Sequence, residues 1–270
     1  MPNTVRFWDA WAPHLSHLEN NHLDIQTINI LLKGISGSVL VVGGGQGLLV
    51  DELRKKGLIA DGVDSSAEMV KLAKQRRAID LLHTNGRYLP LADASYGTSI
   101  IATGVVDFLN DEKEIRCIME EAIRVTQQGG RLIVSFYKVH PVAENFLRRI
   151  GIITENGVMR HRKLFEMSRL EPSALVSLIR QQANVGLCGA IFELAKLQLF
   201  LPQKERILSQ NLSMILKSSD NAEELIEAVS ESIPYHNPES ISALFKKLNL
   251  PIDGVMVFDT CFIVNVVLNG

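Results

Sequence analysis

The chain has 270 residues, 46% apolar and 21% charged, with a net charge of −2. That is enough for one large domain, or one domain with a substantial insertion, around an ordinary core. The charge balance argues against a general nucleic-acid binder, leaving only a local basic cluster of Arg148, Arg149, Arg160, Arg162 and Lys163.

Cys117, Cys188 and Cys261 are odd in number and far apart, with no C-x-x-C pair, so neither a disulfide framework nor a zinc site is expected. MPNTVRFWDAW lacks the apolar core of a signal peptide, and no apolar run reaches 18 residues. The expected location is the reducing cytoplasm, with no membrane span.

In chain order, residues 5–33 place Phe7, Trp8, Trp11, Leu15, Leu18, Ile25, Ile28, Leu31 and Leu32 at helical spacing, predicting two helices broken near Asn20 and Asn21. Trp8 and Trp11 share a helical face. Residues 38–42 read as a buried strand, followed by the glycine cluster GGGQG and a helix to about Lys56, which Gly57 stops. Residues 59–63 form a second strand ending at Asp64. Ser65 or Ser66 then caps the helix AEMVKLAKQRR.

Strand, glycine loop, helix, strand, acid, helix is a βαβ unit and implies a parallel sheet. TSIIATGV and GGRLIVSFY read as further strands around the helix EKEIRCIMEEAIRVT. From about His140 to Tyr235 the pattern turns helical (EPSALVSLIRQQ, IFELAKLQLFL, NAEELIEAVSESI), with a faint strand signal near IITENGVM. The helix PESISALFKKL and one or two strands in the last 16 residues close the sheet. The expected fold is α/β, a doubly wound, mostly parallel sheet with a helical insertion after its fifth strand. The expected divisions are an N-terminal helical lid (1–36), a cofactor-binding core (37–139), a helical substrate lid (140–235) and the closing helix and strands (236–270).

The glycine loop restricts the ligand. A triphosphate loop needs G-x-x-x-x-G-K-[ST], and no lysine follows these glycines. A dinucleotide fingerprint needs a third glycine where Leu48 stands, which disfavours a dehydrogenase. The spacing that fits is G-x-G-x-G, at Gly43, Gly45 and Gly47. It lets the backbone pass beneath a flat ligand, and the helix start beyond offers N–H groups to a carboxylate.

That combination suits S-adenosylmethionine. The sequence resembles the class I methyltransferases, most closely the small-molecule group of ubiquinone and menaquinone biosynthesis. The resemblance rests on VLVVGGGQG, GVDSSAEMVKLAKQR, LPLADASY and AIRVTQQGGRLIVSF in that order, over about residues 5–137 and the last 30. It implies a cofactor site of Gly43, Gly44, Gly45, Gln46, Gly47, Asp64, Ser65, Met69, Asn85, Gly86, Thr103 and Gly104, with S-adenosylhomocysteine as product. Asp64 would grip the ribose hydroxyls, and Ser65 and Met69 would lie by the adenine. Asn85 would accept from the adenine amino group and Gly86 would donate an N–H to the ring. Plain alternatives stand beside these roles: Met69 as core and Asn85 as a turn residue in an N-G pair.

Two positions depart from the family pattern. Val41 stands where an acid usually lies two residues before the first glycine, and Gly97 where an acid often begins the fourth strand. The methyl donor is already activated, so no particular base is compelled. Candidates are Asp107, Tyr137 and His140: a helix-start acid is the favoured reading of Asp107, and His140 is the best base by titration range, with a surface histidine before Pro141 the equal alternative. FWDAWAPHL resembles the family's N-terminal helix, which closes over the cofactor, so Trp8 and Trp11 are pocket-wall or core residues. His14 and His17 could share a face, but no third ligand accompanies them and no metal is expected. The expected function is methyl transfer to a small, apolar acceptor. The alternative is a non-catalytic binding or interaction protein on the same scaffold. Oligomeric state is not legible.

Overall fold

The apolar runs become strands buried on both faces, as a parallel sheet covered by helices requires. The computed structural model describes residues 3–14, 35, 37–200, 213–214, 216–217, 222–258 and 261–268. The second expected N-terminal helix and His17 and His22 lie outside them. Described residues within 22–138 and 236–270 form one compact unit, the core; those within 1–21 and 139–235 form another, the insertion unit.

In the core, β1 (Ser38–Val42) leads through the glycine loop to α2 (Leu48–Lys55) and β2 (Ile59–Asp64), where α1 is Asn3–Trp11 of the other unit. α3 (Ala67–Arg77), β3 (Leu82–His83), β4 (Tyr96–Ile101), α4 (Glu112–Val125) and β5 (Thr126–Tyr137) follow. After the insertion, α10 (Pro238–Leu248), β8 (Ile252–Val257) and β9 (Cys261–Val266) complete the unit. The seven strands run β3-β2-β1-β4-β5-β9-β8, with β9 antiparallel between β5 and β8. The doubly wound sheet expected from the sequence is therefore present, closed by two strands.

Alternation along β1 divides the core in two. Leu40 and Val42 face a cluster with Ile118, Val134, Phe136, Ile241 and Phe245, whereas Val39 and Val41 face Leu49, Val50, Leu53 and Ala73. Local chemistry fixes the helix ends. Ser66 Oγ accepts from Met69 N–H at 3.1 Å to cap α3. Asn237 and Ser240 form a reciprocal capping box on α10, with Pro238 in its first turn.

Two boundaries differ from expectation. β4 stops at Ile101 because the chain turns there, with Ala102 N–H bonding Val42 O and Gly104 at φ +93°. β5 begins at Thr126 and bulges against β4, where Gly130 lies so near the Gly97 carbonyl that a Cβ would stand 2.6 Å from it. Gly97 thus serves this bulge at the amino end of β4.

The insertion unit holds α1, α5 (Pro141–Arg149), β6 (Val158–Met159), α6 (His161–Ser168), α7 (Pro172–Gln182), α8 (Leu187–Phe200), α9 (Ala222–Ala228) and β7 (Ile233–Pro234). The faint strand signal becomes β6, paired with β7. Phe7 and Trp11 of α1 pack edge-to-face with Phe165 of α6, burying both. The basic cluster is largely spent internally: Arg148 pairs with Glu144, Arg149 with Glu193 and Arg162 with Glu231. α8 leaves Leu187, Ile191, Phe192 and Leu199 exposed. Among the described residues, no helix is long and apolar enough to cross a membrane.

One arginine locks the loop before β4. The Arg124 guanidinium donates to the carbonyls of Leu89 and Leu91, both at 2.8 Å, and to Glu121 and Asp93. Glu121 in turn accepts from Leu89 N–H at 2.7 Å. The pairing pushes Glu121 below and Arg124 above their ordinary pKa ranges. Arg124→Ala strips these carbonyls and leaves Glu121 uncompensated, so urea denaturation should show a loss of about 2–3 kcal/mol.

Candidate functional site

At the carboxyl end of β1, the N–H groups of Gly43 and Gly44 both donate to Val63 O, at 3.0 and 2.9 Å, tying the glycine loop to β2. The glycines then divide their work. A Cβ on Gly43 would lie 2.3 Å from Val105 Cγ2, and one on Gly44 3.1 Å from the Leu81 methyls. A Cβ on Gly47 would lie 3.2 Å from Ala73 and Ile79, so Gly47 supplies the close helix packing that the dinucleotide fingerprint assigns to its third glycine. Gly45 differs: at φ +54° it has nothing within 4 Å of a Cβ position. It presents bare backbone to open space.

Gly45 is also where the loop meets the acid. Its N–H donates to Asp64 Oδ2 at 2.7 Å, and Ser66 N–H donates to Asp64 Oδ1 at 2.9 Å. Asp64, 8% exposed at the end of β2, is thus aimed at the glycine loop by its own helix start. Gln46 turns the other way, its amide oxygen accepting from Arg76 and Arg77 of α3. Ser65 is half-buried, with its carbonyl 3.2 Å from His83 Nε2, and Met69 is buried.

Asn85 is exposed, and its Oδ1 accepts from Arg87 N–H at 3.1 Å in an Asx turn. Gly86 sits against the end of β1, where a Cβ would be 3.1 Å from Val42 Cγ1. The structure therefore brings Gly86 beside Val42, the residue that precedes Gly43. Thr103 and Gly104 lie two and three residues past β4 rather than within it. Thr103 Oγ1 is 2.6 Å from Ser135 Oγ on β5.

Asp107 is buried in a short 3-10 turn, accepting from Gly104 N–H at 2.7 Å and Tyr137 N–H at 2.9 Å. It binds the ends of β4 and β5 together. Burial raises its carboxyl from 3.8 to about 6, against the lowering effect of its backbone hydrogen bonds. Tyr137 is the last residue of β5, 36% exposed. His140 belongs to the insertion unit, where its Nδ1 accepts from Val142 N–H at 3.3 Å as the cap of α5. Among the described residues, no group of three or more His, Cys, Asp or Glu could hold a metal ion.

Sequence reading missed two features. Arg124 and Glu121 hold the loop that follows Gly86; the arginine of AIRVT was the available signal. His236 is buried against Phe136 near the end of β5, and only its position directly before the Asn-Pro helix start marks it.

Residues 40–134 match the family described as a methyltransferase domain. The chain is 34% identical over 109 residues to a demethylmenaquinone methyltransferase of Paenarthrobacter aurescens, covering 40% of this chain and 41% of that protein. It is 24% identical over 140 residues to a ubiquinone biosynthesis O-methyltransferase of Xanthomonas axonopodis, covering 51% and 59%. These matches thus span about half the length of the curated relatives. A solved S-adenosylmethionine-dependent methyltransferase from Methanosarcina mazei shares the fold, with TM-score 0.54 and 14% identity over 89% of this chain and 98% of that one. The fold and motif order define the class I methyltransferase architecture. Residues 40–134 thus match a methyltransferase domain, on a fold shared with that solved structure.

Two outcomes follow from this geometry. Gly45→Ala meets no atoms and should cost only about 1–2 kcal/mol of backbone strain, whereas Gly43→Ala adds a severe clash and should cost more; thermal melts compare them. Asp107 ionises less readily in the fold than in the unfolded chain, so its contribution to stability is complete below about pH 4 and is lost as pH rises through about 6. Relative to wild type, the stability deficit of the non-titrating Asp107→Asn should therefore shrink between about pH 4 and 7. A constant deficit in denaturation at both ends would show that Asp107 titrates as an ordinary carboxyl.

Proposed function

We propose that this protein binds S-adenosylmethionine at the carboxyl ends of β1 and β2 and transfers its methyl group to a small, apolar molecule. The observation that carries this reading is the Gly45–Asp64 pair: open backbone at φ +54°, with a carboxylate oxygen 2.7 Å from its N–H. Bare backbone accommodates a nucleoside without phosphates, and the carboxylate offers further lone pairs to its ribose hydroxyls. The start of α2, capped by Gly47 in the left-handed conformation, leaves N–H groups for the ligand's carboxylate. In this reading Gly86, set against the end of β1, gives its N–H to the adenine ring, and Ser65 and Met69 lie along that ring.

When bound, S-adenosylmethionine supplies an electrophilic methyl group on a sulfonium. The chain's task is then to orient an acceptor and exclude water. The apolar insertion unit suits a small, apolar acceptor, as do the quinone-related names of the relatives. A cytoplasmic location accords with three dispersed cysteines lacking any pairing pattern.

A second reading, binding without catalysis, is favoured by Val41. Its side chain is fully buried in the core where the family usually has an acid beside the methionine end. Gly97 adds nothing to that case, because it lies at the far end of β4.

Calorimetry with S-adenosylmethionine, S-adenosylhomocysteine and NAD tests the binding that both readings share, and turnover of the donor separates them. The proposal expects donor and product to bind in the micromolar range and NAD not to bind. NAD binding alone would overturn it. Asp64→Ala should weaken donor binding by about 100-fold or more, since charge-assisted hydrogen bonds to the ribose are lost. An unchanged Kd would place the ribose elsewhere.

A further inference from the structure

His236 is 9% exposed, and neither ring nitrogen has a hydrogen-bond partner among the described residues. Leaving a buried polar group unsatisfied is costly, so such a group in a folded core calls for an explanation. Its place in the core is specific. The ring packs edge-to-face on Phe136 at 5.0 Å, one residue past Ser135, whose hydroxyl bonds Thr103. The residue after Phe136 is Tyr137, whose N–H is held by Asp107. His236 therefore lies at the carboxyl ends of β4 and β5, level with the turn that follows β4. The capping box of α10 begins at the very next residue and fixes the backbone there.

We propose that His236 accepts the proton of a hydroxyl group on the methyl acceptor. This deepens the methyltransferase reading and rests on it. A neutral imidazole has one N–H and one accepting nitrogen, so one of the two missing partners is a hydrogen-bond donor and the other an acceptor. A hydroxyl can donate to an imidazole nitrogen while offering a lone pair to the methyl carbon. A carbon acid donates no such bond, and an ammonium would be desolvated beside a sulfonium of like charge. Burial lowers the imidazole to about 4, so it is neutral at neutral pH and ready to accept.

The step balances. The acceptor oxygen's lone pair forms the new O–C bond, and the C–S bond breaks with its electrons left on sulfur. The O–H electrons stay on oxygen, and the proton passes to His236, so the positive charge moves from sulfonium to imidazolium. A weak base suffices because an oxygen that gains a methyl group becomes strongly acidic as the bond forms.

The test uses the full chain, S-adenosylhomocysteine, and catechol as the hydroxyl probe. Adding catechol to the S-adenosylhomocysteine complex should move the ring-nitrogen NMR resonances of His236. His236→Phe removes the unsatisfied nitrogens, so its Tm should equal or exceed that of wild type, with unchanged S-adenosylhomocysteine affinity. Its kcat for methyl transfer to catechol should fall about 100-fold or more. His236→Gln, which accepts a hydrogen bond but takes no proton, should keep KM and lose kcat. Unmoved His236 resonances at millimolar catechol overturn the proposal and leave the methyltransferase reading standing. Full kcat in His236→Gln also overturns it, as does collapse of both Tm and S-adenosylhomocysteine affinity in His236→Phe. Failure of wild type to bind S-adenosylhomocysteine overturns both.

Discussion

A carboxylate bonded to backbone organises this core. Asp64 takes the N–H of Gly45 on one oxygen and that of Ser66 on the other. One side chain thus fixes the loop after β1, the end of β2 and the start of α3. Both partners are backbone groups whose positions the sheet already sets, so little side-chain entropy opposes the arrangement.

The surrounding elements support that junction from different sides. Gly43 and Gly47 are consumed by packing on Val105, Ala73 and Ile79, which presses the loop flat. Gly86 closes against Val42, and Arg124 holds the following loop by its carbonyls. Asp107 does the same work between β4 and β5. The contacts of Gly43, Gly86 and Asp107 lie at the carboxyl ends of β1, β4 and β5, the end at which open α/β sheets bind ligands.

Much of this was legible in the sequence because it is local. The continuous apolar run at 38–42, the capping Ser66 and the helix-spaced residues of 112–125 encode their own structure within a few positions. The spacing of four glycines and an acid 17 residues after the last of them gave the junction itself. What was not legible depends on distant partners. No local signal says that Gly43 meets Val105, that Gln46 is drawn to Arg76 and Arg77, or that Gly97 faces Gly130 across a bulge. His140 looked like the base by its titration range, yet it caps α5 in the insertion unit. His236 drew no notice in sequence, and its burial against Phe136 is a product of the closing helix folding back onto β5.

The central claim is that the Gly45–Asp64–Ser66 junction receives the nucleoside, and amide NMR reads it directly. On titrating S-adenosylhomocysteine into 15N-labelled protein, the account predicts that the Gly45 and Ser66 amide resonances shift together and saturate with the binding curve. Saturable binding that leaves both amides unmoved would contradict it.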